Sequence, residues 1–298
     1  MSSVQPMPTD TSSRDAVVAL ALARSSNLAM LPETATRVLR LADDPYVTMA
    51  KLADVIETSP ELCARILRIV NSAFYGFPGE VRSIQHATTL MGLEAVRNVT
   101  IAASLTRVFQ GRPLSPKFSP KDIWTHSLSV AAATRQLACI GMRSLADEAF
   151  LAGMLHDIGL MVELQLDRPK LAAHLGSIET GRCTDLLAAE EAAFGATHAD
   201  FGAALLAAWH LPTTMSLSAQ YHHRPHQLPA AHRLMPVMVH LGDRLVAACG
   251  PPFLLDDPSP EIDPALLDVV HVSPAQVEEL RAALPDVIAE VKAVLSAA

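Results

Sequence analysis

Aromatic residues are scarce: Phe, Trp and Tyr make up only 4% of the 298 residues. Sheets draw on aromatic and β-branched side chains, whereas the apolar half of this chain is rich in Ala and Leu, so helices are favoured over strands. No uninterrupted apolar run reaches the ~20 residues that span a bilayer, so no membrane segment is expected. A net charge of −8 offers no basic surface to displace counterions from nucleic acid, which is therefore not an expected partner. Cysteines are few and scattered. Cys63, Cys139, Cys183 and Cys249 form no Cys-x-x-Cys pair and sit among apolar neighbours, as reduced core residues of a cytoplasmic protein do. Ala16 to Ala23 has the apolarity of a signal-peptide core, but Asp10 and Asp15 precede it with Arg14 the one base nearby, so secretion is not expected.

What is present is a series of punctuated helices in a chain long enough for one extended domain or two small ones. Residues 1–12, rich in Ser, Thr and Pro, are expected to be disordered. Helices follow to Ser25, then over Pro32–Leu41, Thr48–Thr58 and Glu61–Val70, the last opened by Ser59 and Pro60. Asn71 to Phe77 interrupts them, and helices resume from Ser83 to Leu90 and from Leu93 to Phe109. A Pro-bearing loop, Gly111 to Ser119, joins two helical halves. There is neither βαβ alternation nor a tandem repeat. The expected architecture is all-α: an N-terminal helical subdomain over residues 13–112, a second over 113–250, and a linker with a terminal amphipathic helix over 251–298.

The second half carries the chemistry. Ser144 and Asp147 read as a capping pair opening a buried helix that ends at Gly159, with His156 and Asp157 in its last turn. His156 lies on the flank bearing Ala149, Ala152 and Gly153, small residues that admit another element. Helical phase also turns His126 inward with Ile123, Val130 and Leu137, and His198 inward with Phe201, Gly202 and Leu205. The pair His222-His223 and the helix-borne Asp243 complete the set. Singly, each is explained by a hydrogen bond in the core. Together they are not, because burying so many ionisable groups without shared compensation is costly. Imidazole and carboxylate without thiolate suit a divalent first-row metal, Fe or Mn first, then Zn or Ni, as one ion or two.

The order His, His-Asp, further His and a helix-borne Asp resembles the HD superfamily of metal-dependent phosphohydrolases, whose core ligands match His126, His156, Asp157 and Asp243. More closely, Leu31 to Ala248 resembles the HDOD domain, the HD-related output domain of bacterial signalling proteins. The matching text includes Leu67 to Ala73, Leu90-Met91-Gly92, Gly153 to Gly159, Glu190 with Gly195 to His198, Trp209 to Pro212, and His222-His223. The resemblance implies a regulatory protein acting through contacts with signalling partners. Many HDOD domains look like degenerate HD domains, yet here every core position is filled. Similarity to the HD-GYP cyclic dinucleotide phosphodiesterases adds His198, His222 and His223 to the expected ligand set, and Asp122, one turn before His126, to its candidates. Asp122 is equally explained as a first-turn carboxylate.

Two departures weigh against cyclic dinucleotide cleavage. Leu160 stands where that family has Lys, and Arg224 to Pro229 replaces its Gly-Tyr-Pro segment. Arg224, Arg97 and Arg135 are the candidate replacement cations. The sequence thus predicts a signal-transduction protein with a retained metal site. Its rival is a metal-dependent phosphohydrolase, with Asp157 as the candidate catalytic residue and a phosphorylated small molecule as ligand. In the regulatory reading, Asn71, Phe74 and Tyr75 form either a contact loop or a helix cap with aromatic packing.

Overall fold

Ser, Thr and Asp residues followed by apolar periodic stretches divide the chain into helices, as a computed structural model shows for residues 11–25, 32–42, 44, 46–72, 75, 77–106, 108–115, 117–182, 185–251, 253–255 and 260–296. Residues 1–10, Leu31, Phe74 and Cys183 lie outside these described residues. In chain order the helices are α1 (Thr11–Arg24), α2 (Glu33–Ala42), α3 (Met49–Glu57), α4 (Pro60–Val70), α5 (Ile84–Met91), α6 (Leu93–Leu105), α7 (Pro120–Gly141) and α8 (Ala146–Leu155). They continue with α9 (Gly159–Leu166), α10 (Arg168–Glu179), α11 (Leu186–Phe194), α12 (His198–Ala208), α13 (Thr213–Tyr221), α14 (Leu234–Cys249), α15 (Pro264–Val270) and α16 (Pro274–Ser296). The fold is all-α. Among the described residues the β pairing is confined to an isolated bridge between Ser115 and Phe118.

Side-chain caps account for several starts. Thr48 Oγ1 accepts from Lys51 N at 3.2 Å, Ser83 Oγ accepts from His86 N at 3.1 Å, and Ser273 and Gln276 close a box before α16. Asn71 ends α4 and pins the following loop: its Oδ1 accepts from Val81 N and its Nδ2 donates to Val81 O, both at 2.7 Å. Tyr75 stacks on Phe77 at 6.0 Å, and the Arg135 guanidinium lies 4.9 Å from its ring centre. At Asn71 and Tyr75 the helix-cap-and-packing alternative is therefore what the structure shows.

The half that carries the site is built around α7. Ile123, His126, Val130 and Leu137 are all buried on it, and α8, α14 and α16 pack against it. Close approach depends on missing side chains. A Cβ on Gly153 of α8 would stand 2.8 Å from Thr134 Oγ1, and one on Gly242 of α14 would also collide with that hydroxyl. Two glycines facing one threonine draw α8 and α14 onto the same side of α7. The stretch Arg143–Leu166 is long and apolar enough to cross a membrane, but 83% of its apolar window is buried inside this fold.

Three sequence expectations are corrected. Helix α6 stops at Leu105, a turn before Phe109. A short 3-10 turn, Arg143–Leu145, precedes α8, whose cap position Leu145 makes no side-chain cap; Asp147 instead faces Arg135 at 3.7 Å. Finally, α8 ends at Leu155, and Gly159 begins α9 rather than stopping a helix. A Cβ there would run into the His198 carbonyl of α12, so Gly159 serves close packing and His156-Asp157 occupies a turn between two helices.

Candidate metal centre

Each cluster residue sits where its backbone is held. His126 projects from the second turn of α7, and Asp243 from the third turn of α14, next to the close contact at Gly242. In the α8–α9 turn the Asp157 carbonyl accepts from Leu160 N at 3.0 Å. His198 is the first residue of α12, fixed by a reciprocal box in which Asp200 Oδ2 accepts from Thr197 N at 3.0 Å and Thr197 Oγ1 accepts from Asp200 N at 3.3 Å. His222 and His223 follow the end of α13, with His222 N donating to Ser218 O at 3.0 Å.

Asp157 lies at the centre. Its Oδ2 is 3.3 Å from His156 Nε2 and 3.8 Å from His126 Nε2, while its Oδ1 is 3.4 Å from both His198 Nε2 and His222 Nε2. Asp243 Oδ1 reaches His126 Nε2 at 3.2 Å, and His223 Nε2 reaches His198 Nε2 at 3.0 Å. Two groups of ligand atoms therefore share Asp157: His126 and His156 on one side, and His198, His222 and His223 on the other, each group lying within 4.8 Å. The structure brings together every candidate of the sequence reading except Asp122. That carboxylate accepts from Ser119 N and Ser119 Oγ, both at 2.7 Å, in a capping box on the exposed start of α7. Of the two readings of Asp122, the structure shows the first-turn cap.

The rear nitrogens show that the site fits a metal. His156 Nδ1 lies 2.7 Å from Gly153 O, and His222 Nδ1 lies 2.8 Å from Ala219 O. A carbonyl can only accept, so each Nδ1 carries a proton, and each Nε2, facing Asp157, is the nitrogen left to bind a metal. His198 Nδ1 is 2.7 Å from Glu190 Oε2, which also accepts from His198 N at 3.0 Å. Such carboxylate–histidine pairs orient metal ligands and raise their basicity. The buried His222 Nε2 faces Asp157 without an aligned hydrogen bond. These inward nitrogens and carboxylate oxygens are the donors a divalent metal takes.

Electrostatics agree. Burial pushes Asp157 up, but the charges of His156 and His198 overcome it and hold the carboxyl well below its usual range. Asp243 is lowered likewise against burial, by its hydrogen bond with His126 and that residue's charge. His156 is raised against burial by Asp157, and His198 is raised to about 9 against burial by Glu190. His222 is lowered by burial, and His223 is lowered further by burial and the charges of His222 and His198. Without metal, the ionised carboxylates of Asp157 and Asp243 are balanced by charge on neighbouring imidazoles, the place a divalent cation would take.

Several residues join the site that sequence reasoning did not assign to it. Glu190, wholly buried on α11, supports His198; His240 Nδ1 lies 2.6 Å from the His222 carbonyl; Phe253 stacks on His126 at 4.1 Å and 14°. Spacing alone could have flagged Glu190, eight residues before His198. Of the candidate cations, Arg97 bonds Asn98 Oδ1 at 3.2 Å, Arg135 sits over Tyr75, and Arg224 borders the cluster beside His223. Leu160, where the resemblance has Lys, is core.

Comparison with solved structures places this arrangement among known folds. An HDOD domain protein of unknown function from Geobacter sulfurreducens superposes with a TM-score of 0.77 at 23% identity, covering 94% of this chain and 98% of that one. A candidate signal transduction protein from Marinobacter aquaeolei VT8 gives 0.75 at 24% identity, over 98% and 68% of the two chains. A candidate phosphohydrolase from Shewanella amazonensis SB2B gives 0.72 at 21%, over 94% and 98%. At these identities the likeness speaks for the fold. An uncharacterized protein of Treponema pallidum (strain Nichols) is 25% identical over 205 residues, which span 68% of this chain but 39% of that protein. The HDOD domain profile matches residues 28–225, two thirds of the sequence and both helical halves, and the chain belongs to the HDOD family.

Proposed function

We propose that this chain is a cytoplasmic bacterial signal-transduction protein that holds a divalent metal at the His–Asp cluster and acts through contacts with other signalling proteins. The observation that carries the metal reading is the position of Asp157, whose two oxygens each face a separate set of histidine Nε2 atoms. His126, His156 and Asp243 would hold one ion, and His198, His222 and His223 a second, with Asp157 as a ligand common to both groups. Iron or manganese is the expected metal, with zinc or nickel next. The regulatory half of the reading draws on family membership and on the core placement of Leu160, which leaves no cation at that position.

A second reading, metal-dependent hydrolysis of a phosphoester, is favoured by the complete ligand set. A bound metal supplies Lewis acidity and a water of lowered pKa. Around it, Glu190 would keep the His198 Nδ1 protonated and its Nε2 available, with the ionised Asp157 as a shared ligand. One experiment separates the readings. The anaerobically purified chain is loaded with Mn(II) and assayed for phosphate release from nucleotides and simple phosphoesters, while proteins retained by the loaded chain are compared with those retained by Asp157→Ala. Partners retained only by the loaded wild type, without turnover, are the expected result. Turnover abolished by Asp157→Ala establishes the enzyme instead.

A further inference from the structure

The cluster is covered by an aromatic ring on one side and faces a cleft on the other. His126, His156, Asp157, His198 and His222 are at most 5% exposed, so a ligand reaches them by way of half-buried His223 or of Asp243, whose side chain is 22% exposed. At the Asp243 end, the Phe253 ring lies flat on His126. At the His223 end there is instead a cleft of about 220 Å³ between α1, α11, α12 and the segment after α13.

Two arginines border it. Arg14 of α1 pairs with Glu191 and lies 4.0 Å from Asp200, so the acids of the cleft wall are already engaged. Arg224 follows His223 directly, lines the same cleft and makes no ion pair among the described residues. The volume lies below the ~300–1,000 Å³ of pockets that enclose drug-sized ligands. A phosphate on a small group fits it, and a cyclic dinucleotide with two bases does not.

Resting on the metal reading above, we infer that this cleft binds the phosphate of a small phosphomonoester, with Arg224 as its recognition cation and the ion held by His198, His222 and His223 behind it. Without metal, the two arginines and two acids of the cleft cancel in charge. A divalent ion behind His223 makes the site cationic, so phosphate affinity depends on metal. Arginine is suited to the task because its planar donors match phosphate oxygens.

The test uses the full chain loaded with Mn(II), with loading verified first by electron paramagnetic resonance. The probes are inorganic phosphate and glycerol 2-phosphate, observed through relaxation of their phosphorus nuclei by the bound ion. In wild type both probes are expected to be relaxed at saturable sites, and cyclic di-GMP to bind at least about tenfold more weakly. Arg224→Ala weakens both probes about tenfold. Arg82→Ala, an exposed cation outside the cleft, leaves them unchanged. Loaded protein that fails to relax phosphate, or an Arg224→Ala variant that binds it as wild type does, overturns the inference and leaves the metal site standing. Failure of wild type to take up Mn(II) overturns the metal reading itself, and the inference with it. Circular dichroism of each variant excludes misfolding as the cause.

Discussion

The two sides of Asp157 are built from the same ligand types but differ in access and support. On the first side, His126, His156 and Asp243 project from the central helix α7, the α8–α9 turn and α14, beneath the ring of Phe253. On the second, His198, His222 and His223 stand at helix ends, with Glu190 behind them and a cleft in front. The difference teaches that packing contributes more to one half-site, beneath Phe253, and buried hydrogen bonding more to the other, through Glu190. The packed half is covered by Phe253 over His126, and the hydrogen-bonded half faces the cleft.

The largest test of the comparison removes what the halves share. Asp157→Ala is expected to abolish tightly held metal at both, measured as metal per chain by plasma mass spectrometry, with helical circular dichroism nearly intact. A variant that keeps its metal contradicts the shared carboxylate. Next, Glu190→Gln should break the hydrogen-bonded half alone. Loss of a carboxylate behind a ligand histidine typically weakens metal binding 10–100-fold, so one ion should dissociate readily while the other is retained. Loss of both ions together would mean that the halves are not separable. Phe253→Ala should act on the packed half, costing about 3 kcal/mol on thermal or denaturant unfolding for a large ring packed on His126 and Phe118.

The smallest effect concerns Glu163, which is fully buried, with neither oxygen hydrogen-bonded. Burial, then the negative charges of Glu190 and Asp157, raise its pKa well above the ordinary 4.5. The folded state therefore holds a proton that the unfolded chain releases, and stability falls as pH rises above about 4.5 until the folded-state group titrates. Glu163→Gln removes that dependence. It should stabilise the metal-free protein by about 1–3 kcal/mol at pH 8 and by less at pH 5, read as the shift in Tm between the two pH values. An equal shift at both would show that Glu163 is ionised in the fold.

Much of this was legible in the sequence because helical phase is a local property. The inward faces of His126 and His198 follow from 3.6-residue spacing, and the cap at Ser59 from the type of residue that accepts an orphan N–H group. What depends on contacts between distant segments was not legible. Gly159 reads as a helix stop, yet its missing side chain makes room for α12. Glu190 stands eight residues before His198, but its complete burial appears only when α12 returns against α11. Asp122 has the spacing of a ligand, but the nearby Ser119 claims its carboxylate. Arg14 gains its place beside the cleft only because α1 packs on α12.

The central claim is that Asp157 joins two half-sites, and electron paramagnetic resonance of the Mn(II)-loaded chain tests it most directly. The account predicts two ions per chain with the spectrum of an exchange-coupled pair in wild type, and a single uncoupled ion in Glu190→Gln. A wild-type protein that takes up one uncoupled ion at saturation, or none, contradicts it.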